Sequence, residues 1–169
     1  MTDTLTIALA QLSQRMGDLA ANADAMLAAR AQAGAVDLVL CPELQLIGYP
    51  PEDLVLKPAL VARAEAEVER MAAATADGGP AMLIGTIVKR EGKLYNAMLL
   101  LDGGKVAGET LKRELPNYGT FDEKRLFASG PLPDPITFRG VRLGVPICED
   151  VWWPEVCAHL KARGAEILL

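Results

Sequence analysis

Apolar and polar positions along the chain change period several times, and each change marks a boundary between predicted elements. Residues 4–12 (TLTIALAQL) alternate in the two-residue rhythm of a strand, whereas residues 18–33 carry Leu19, Ala23, Met26, Leu27 and Arg30 at helical spacing and stop at Gly34. The apolar run 36–41 reads as a second strand, parallel to the first because a whole helix connects them, and it delivers Pro42 and Glu43 at its carboxyl end. Gly48 and the paired prolines Pro50 and Pro51 make residues 44–58 a structured loop, with one helical turn at residues 52–56. Residues 58–76 return to helical spacing, with Leu60, Ala64, Val68 and Met71 on one face and a charged, solvated face opposite.

After Pro80 the period becomes that of strands. Runs 81–89, 94–101 and 105–111 are separated by the turns Glu91-Gly92 and Asp102-Gly103-Gly104, which predicts antiparallel hairpins joined to the earlier β-α units in one sheet. Residues 114–130 follow neither period and read as an ordered polar-aromatic loop. A short strand at 135–138 and the turn Arg139-Gly140 lead into a buried strand at 141–147. Pro154 then opens a helix, which ends at Gly164 before a last strand at 165–169. A chain that stops on an apolar strand leaves it uncovered, so residues 1–169 are read as one incomplete domain of mixed α/β (α+β) class.

Composition narrows the function classes. Over 169 residues a 51% hydrophobic content supports one domain with a real core, and a net charge of −5 without a basic stripe argues against a nucleic-acid partner. No apolar run reaches the roughly 18 to 20 residues of a membrane span. Met1-Thr2-Asp3-Thr4 has no basic region, so no signal peptide is expected. Cys41, Cys148 and Cys157 form no C-x-x-C pair, which argues against a disulfide framework or a metal site and for a reducing cytoplasm.

One stretch carries candidate chemistry. Cys148 follows an apolar strand and precedes a helix, and the carboxyl ends of strands are where open α/β sheets place ligands, so its thiol is a candidate nucleophile. The alternative is a small buried core residue. His159 is the single histidine; it lies on the following helix, far from the elbow, and reads as a surface residue. A base must then be a carboxylate, for which Glu43 at a strand end is the candidate. A buried carboxylate needs a cation to keep it ionised, which Lys112 could supply. The alternative for both is solvation. Glu149 and Asp150 flank Cys148 and oppose thiolate formation, a cost that pairing with a substrate ammonium would remove; otherwise both point to solvent.

These segments also carry a resemblance. Cys41-Pro42-Glu43-Leu44 with Gly48-Tyr49-Pro50-Pro51-Glu52-Asp53-Leu54, then Lys112-Arg113-Glu114-Leu115-Pro116-Asn117-Tyr118-Gly119-Thr120-Phe121-Asp122-Glu123, then Ile147-Cys148-Glu149-Asp150-Val151-Trp152, resemble the Glu, Lys and Cys motifs of the nitrilase (carbon-nitrogen hydrolase) superfamily. Within it they are most similar to the glutaminase domains of glutamine-dependent NAD synthetases. The resemblance implies an α-β-β-α sandwich with a mixed sheet, incomplete at the C-terminus. It implies Glu43 as general base, Lys112 and the Glu149 N–H as oxyanion donors, and Cys148 as the nucleophile that forms a glutamyl thioester. Glu123 would support the triad, and Tyr118, Glu149 and Trp152 would contact glutamine. The hydrolytic step then needs no cofactor. ATP and Mg2+ would belong to a synthetase domain of the same parent chain, which uses the ammonia to amidate deamido-NAD, and a homo-oligomer is expected. No phosphate-binding glycine loop occurs in these residues. The competing readings are a free-standing amidase or carbamoylase and a catalytically incomplete assembly module.

Overall fold

The two halves of the chain build two different sheets, and in the computed structural model, which describes residues 4–169, both follow from the connections the sequence allows. β1 (Ile7–Leu9) and β2 (Leu38–Leu40) pair in parallel, Ile7 opposite Leu38, because α1 (Leu19–Gln32) carries the chain back between them. Asp18 caps that helix, its carboxylate accepting the Ala21 N–H at 3.3 Å, and Gly34 turns the chain at φ +71° where the periodicity placed the stop. A 3₁₀ turn at Glu52–Leu56 and α2 (Pro58–Ala74) lead to β3 (Ala81–Arg90), parallel to β2. β4 (Lys93–Asp102) and β5 (Lys105–Leu111) then fold back as antiparallel hairpins, giving the order β1-β2-β3-β4-β5.

The second sheet, β6-β7-β8, consists of β6 (Ile136–Phe138) antiparallel to β7 (Val141–Gly144), and β8 (Ile167–Leu168) parallel to β7 after α4 (Pro154–Ala162). Between the two sheets lies an apolar layer in which Leu38, Leu83, Met98 and Leu100 meet Ile136, Phe138, Leu143 and Ile147. The approach is close at β5, where a Cβ on Gly108 would come within 2.6 Å of the Ile136 side chain. The other face of the first sheet is covered by α1 and α2, through Leu19, Met26, Ala64 and Met71 against Val39, Ile84 and Leu99. On β7 the alternation sends Leu143 inward and turns Gly144 toward Leu160 of α4. The layers are therefore α-β-β-α with mixed sheets, as the resemblance implied.

Two expectations are corrected. The loop at 114–130 contains a helical turn, α3 (Glu123–Leu126), too short to leave a periodic signature. The buried run 141–147 is strand only to Gly144, because residues 145–147 leave the ladder toward the elbow. His159 lies at the surface of α4, part-exposed, with its Nε2 3.6 Å from the exposed Asp134. Residues 1–3, read as lacking a signal peptide, lie outside the described residues. Among the described residues no helix is long and apolar enough to cross a membrane.

Candidate active site

Glu43 leaves the end of β2 on a tight turn that crosses directly over β3. Gly85 makes this possible: a Cβ there would sit 2.3 Å from the Pro42 carbonyl and 2.4 Å from the Leu44 nitrogen. The Leu46 N–H donates to the Gly85 carbonyl at 3.0 Å and ties the turn to the strand, while Leu44 adopts φ +49°. Lys112, one residue beyond β5, is fully buried and extends the ladder, its N–H donating to the Asn96 carbonyl at 2.8 Å.

A buried ammonium demands anionic partners, and Lys112 has two. Its Nζ donates to Glu43 Oε1 at 2.7 Å and to both oxygens of Glu123, at 3.0 and 2.9 Å. Burial lowers the lysine pKa, but the Glu43 and Glu123 carboxylates outweigh it, so the ammonium stays charged above the ordinary lysine value. Glu123 comes from α3, the turn missed in the sequence, and also accepts the Tyr49 hydroxyl at 3.3 Å. Asn96 Nδ2 donates to Glu43 Oε1 at 2.6 Å.

Cys148 opens the 3₁₀ turn Cys148–Trp152 at φ +47°, a left-handed conformation that a non-glycine residue adopts only where its surroundings hold it. The thiol faces Glu43. Burial, then the Glu43 charge, push its pKa up, and Lys112 partly offsets them. The other cysteines differ: Cys41 is buried, with its thiol pushed up to about 12 by burial, and Cys157 lies beyond the turn on α4. Glu43 and Cys148 open together into a cavity of about 430 Å³ with Leu9, Leu40, Met98 and Val145 on its walls.

The acids flanking the thiol do not behave as the sequence suggested. Asp150 neither points to solvent nor faces the thiol. Fully buried, it accepts the N–H groups of Ile147 at 2.9 Å, Arg113 at 3.2 Å and Glu114 at 2.7 Å, which lashes the elbow to the end of the Lys112 strand. Glu149 accepts the Tyr118 hydroxyl at 2.8 Å, and these two, with Lys124 and Trp153, line a separate, smaller hollow of about 220 Å³. Trp152 is 77% exposed and lines neither. The fold thus gathers Glu43, Lys112, Glu123 and Cys148 and keeps Tyr118 and Glu149 adjacent, while Trp152 stands apart. Among the described residues no cluster of three His, Cys, Asp or Glu side chains is arranged to hold a metal ion.

Asn96, Tyr49, Gly85 and the tying role of Asp150 were not anticipated. Gly85 had a signal, since an isolated glycine inside an apolar strand marks a close approach of other backbone. So did Asn96, the one amide in the run 94–101.

Comparison with known proteins follows the same lines. A match to the family described as carbon-nitrogen hydrolase runs over residues 6–169. The chain is 47% identical to a glutamine-dependent NAD(+) synthetase of Rhodobacter capsulatus over 171 residues, which takes in 100% of this chain and 31% of the relative. A solved glutamine-dependent NAD+ synthetase from Acinetobacter baumannii, in complex with adenosine diphosphate, superposes with a TM-score of 0.86 at 33% identity, over 97% of this chain and 31% of that one. A mutant of the amidase from Nesterenkonia sp. AN1, with acrylamide added at its active-site cysteine, superposes with a TM-score of 0.80 at 28% identity, over 98% of this chain and 65% of that one. The chain spans 31–32% of the length of the first curated relatives it matches.

Proposed function

The chain belongs to the carbon-nitrogen hydrolase family, and from that membership we propose that it is the glutamine-hydrolysing part of a glutamine-dependent NAD synthetase. Glu43 takes the proton of Cys148 as the sulfur attacks the side-chain amide carbon of glutamine. The oxyanion that forms is met by the Lys112 ammonium and the Glu149 N–H. Collapse of the tetrahedral species breaks the C–N bond. The nitrogen leaves as ammonia with the proton Glu43 had taken, and a glutamyl thioester remains on the sulfur. Water, deprotonated by Glu43, then attacks the thioester and releases glutamate and the thiol.

The observation that carries this reading is the Lys112–Glu43 pair at 2.7 Å, with the ammonium fully buried, facing a thiol held at φ +47°. Tyr118 and Glu149 are the groups for the substrate α-ammonium, and Trp152 would join them only once substrate or further chain covers it. The hydrolytic step uses no cofactor. ATP and Mg2+ serve a synthetase part of the full-length protein, in keeping with relatives about three times longer. A reducing cytoplasm fits three free thiols, and a homo-oligomer belongs to the same reading.

The test is glutamate release from glutamine by the full-length protein, then NAD formation on adding ATP and deamido-NAD, with the nucleophile mapped by a glutamine-like diazoketone. The expected results are both activities and an adduct on Cys148. An adduct on Cys41 or Cys157 with Cys148 free would sink the assignment. Hydrolysis of simple amides without NAD formation would favour a free-standing amidase, the reading that the Nesterenkonia fold also allows.

A further inference from the structure

We propose that Asn96 is the positioning residue that decides which oxygen of Glu43 receives the thiol proton, a role that rests on the hydrolytic reading above. Asn96 is fully buried in β4, where alternation aligns it with Met98 and Leu100, both of which belong to the apolar layer between the sheets. An amide on that face is out of place unless it has a task, the more so because its Oδ1 finds no partner.

The task is visible in its two bonds. Its backbone carbonyl accepts the Lys112 N–H at 2.8 Å, and its side-chain Nδ2 donates to Glu43 Oε1 at 2.6 Å. A carboxylate only accepts, so the amide nitrogen and not the oxygen must face Glu43. One residue thus fixes both the cation and the base. Lys112 Nζ donates to the same Oε1 at 2.7 Å, which gives that oxygen two donors. Among the described residues Oε2 receives none, so Oε2 is the oxygen left for the thiol proton. With Lys112 alone, either oxygen could turn to the ammonium and the free lone pair would lose its fixed direction.

The groups that set the charge around Glu43 come from every neighbouring element: Lys112 after β5, Glu123 of α3, Cys148 of the 3₁₀ turn, and Tyr49 of the 44–58 loop. Asn96 adds to them an uncharged donor bonded to Glu43 itself. Removing it leaves Oε1 with the Lys112 ammonium alone, and the direction of Oε2 toward the thiol is no longer fixed.

Three measurements on the full-length protein test this. In Asn96→Ala, kcat for glutamate release is expected to fall on the order of 10-fold or more, as for a misdirected base, with KM little changed. Asn96→Asp, nearly the same size, puts two carboxylates in contact, which repel, and is expected to turn Glu43 further and to lower kcat more; it answers the question if the alanine variant does not fold. A crystal structure of either variant is expected to show the Glu43 carboxylate turned. Variants with the wild-type kcat and an unmoved Glu43 would overturn the proposal. A wild-type protein that hydrolyses no amide would sink the hydrolytic reading instead, and the variant structures would still decide the role of Asn96.

Discussion

At the scale of single residues, burial and the neighbouring carboxylates explain why the thiol is not activated at rest. Burial first, then the Glu43 charge with a smaller push from Glu123, hold Cys148 above its ordinary value of 9.0, and the Lys112 ammonium offsets them only in part. Proton transfer must then accompany attack on the substrate. The sign of each perturbation can be checked by titrating the far-ultraviolet thiolate absorbance against a Cys148→Ala background. Glu43→Gln removes a negative neighbour and is expected to bring the Cys148 midpoint down, while Lys112→Met is expected to raise it, although both lose amide hydrolysis. A midpoint that rises in Glu43→Gln would contradict the charge balance described above. The candidates Glu43, Lys112 and Cys148 were legible because each ends a strand or begins a turn. Asp150 was misread because its partners Arg113 and Glu114 stand 37 and 36 residues away, and an acid beside a thiol looks like a charge and not like a tie for backbone N–H groups.

At the scale of elements, the strands and the two long helices followed from periodicity and turn residues, and their ends from Asp18, Gly34 and the prolines. α3 did not, because four residues span barely one turn. The elbow at Cys148 did follow, from the change of strand to helix, but not its backbone conformation, since nothing in an apolar run announces a positive φ. The element whose geometry matters most is the turn 42–48 over β3. Gly85→Ala would force the Pro42 carbonyl and the Leu44 nitrogen away from β3, shifting Glu43 relative to Lys112. A displacement of about 1 Å at a reacting group costs on the order of 10²-fold, and crowding a packed contact typically costs about 1–3 kcal/mol. The variant is expected to fold with a lowered Tm and to lose most of its kcat. A Gly85→Ala protein with the wild-type turnover would show that the turn can yield without moving the base.

At the scale of the whole molecule, the sandwich was legible only through the resemblance, because periodicity tells which face of a strand is apolar and not which other sheet it will meet. The site joins the two sheets. Glu43 and Lys112 follow the ends of strands of the first, Asn96 lies within one of them, Cys148 leaves the second, and α3 lies between the two sheets in the chain. The bonds that assemble it span 53 residues from Glu43 to Asn96, 69 from Glu43 to Lys112 and 37 from Arg113 to Asp150. Contacts so distant in sequence form slowly compared with helices. On dilution from denaturant, amide hydrolysis is expected to return after the helical circular dichroism signal, and coincident recovery would argue that the sheets dock as early as the helices form. The bonds to Asp150 mark when the site can close. Until Arg113 and Glu114 donate their N–H groups to it, the elbow that carries Cys148 is not fastened to the strand that ends in Lys112, so thiol and ammonium have no common frame.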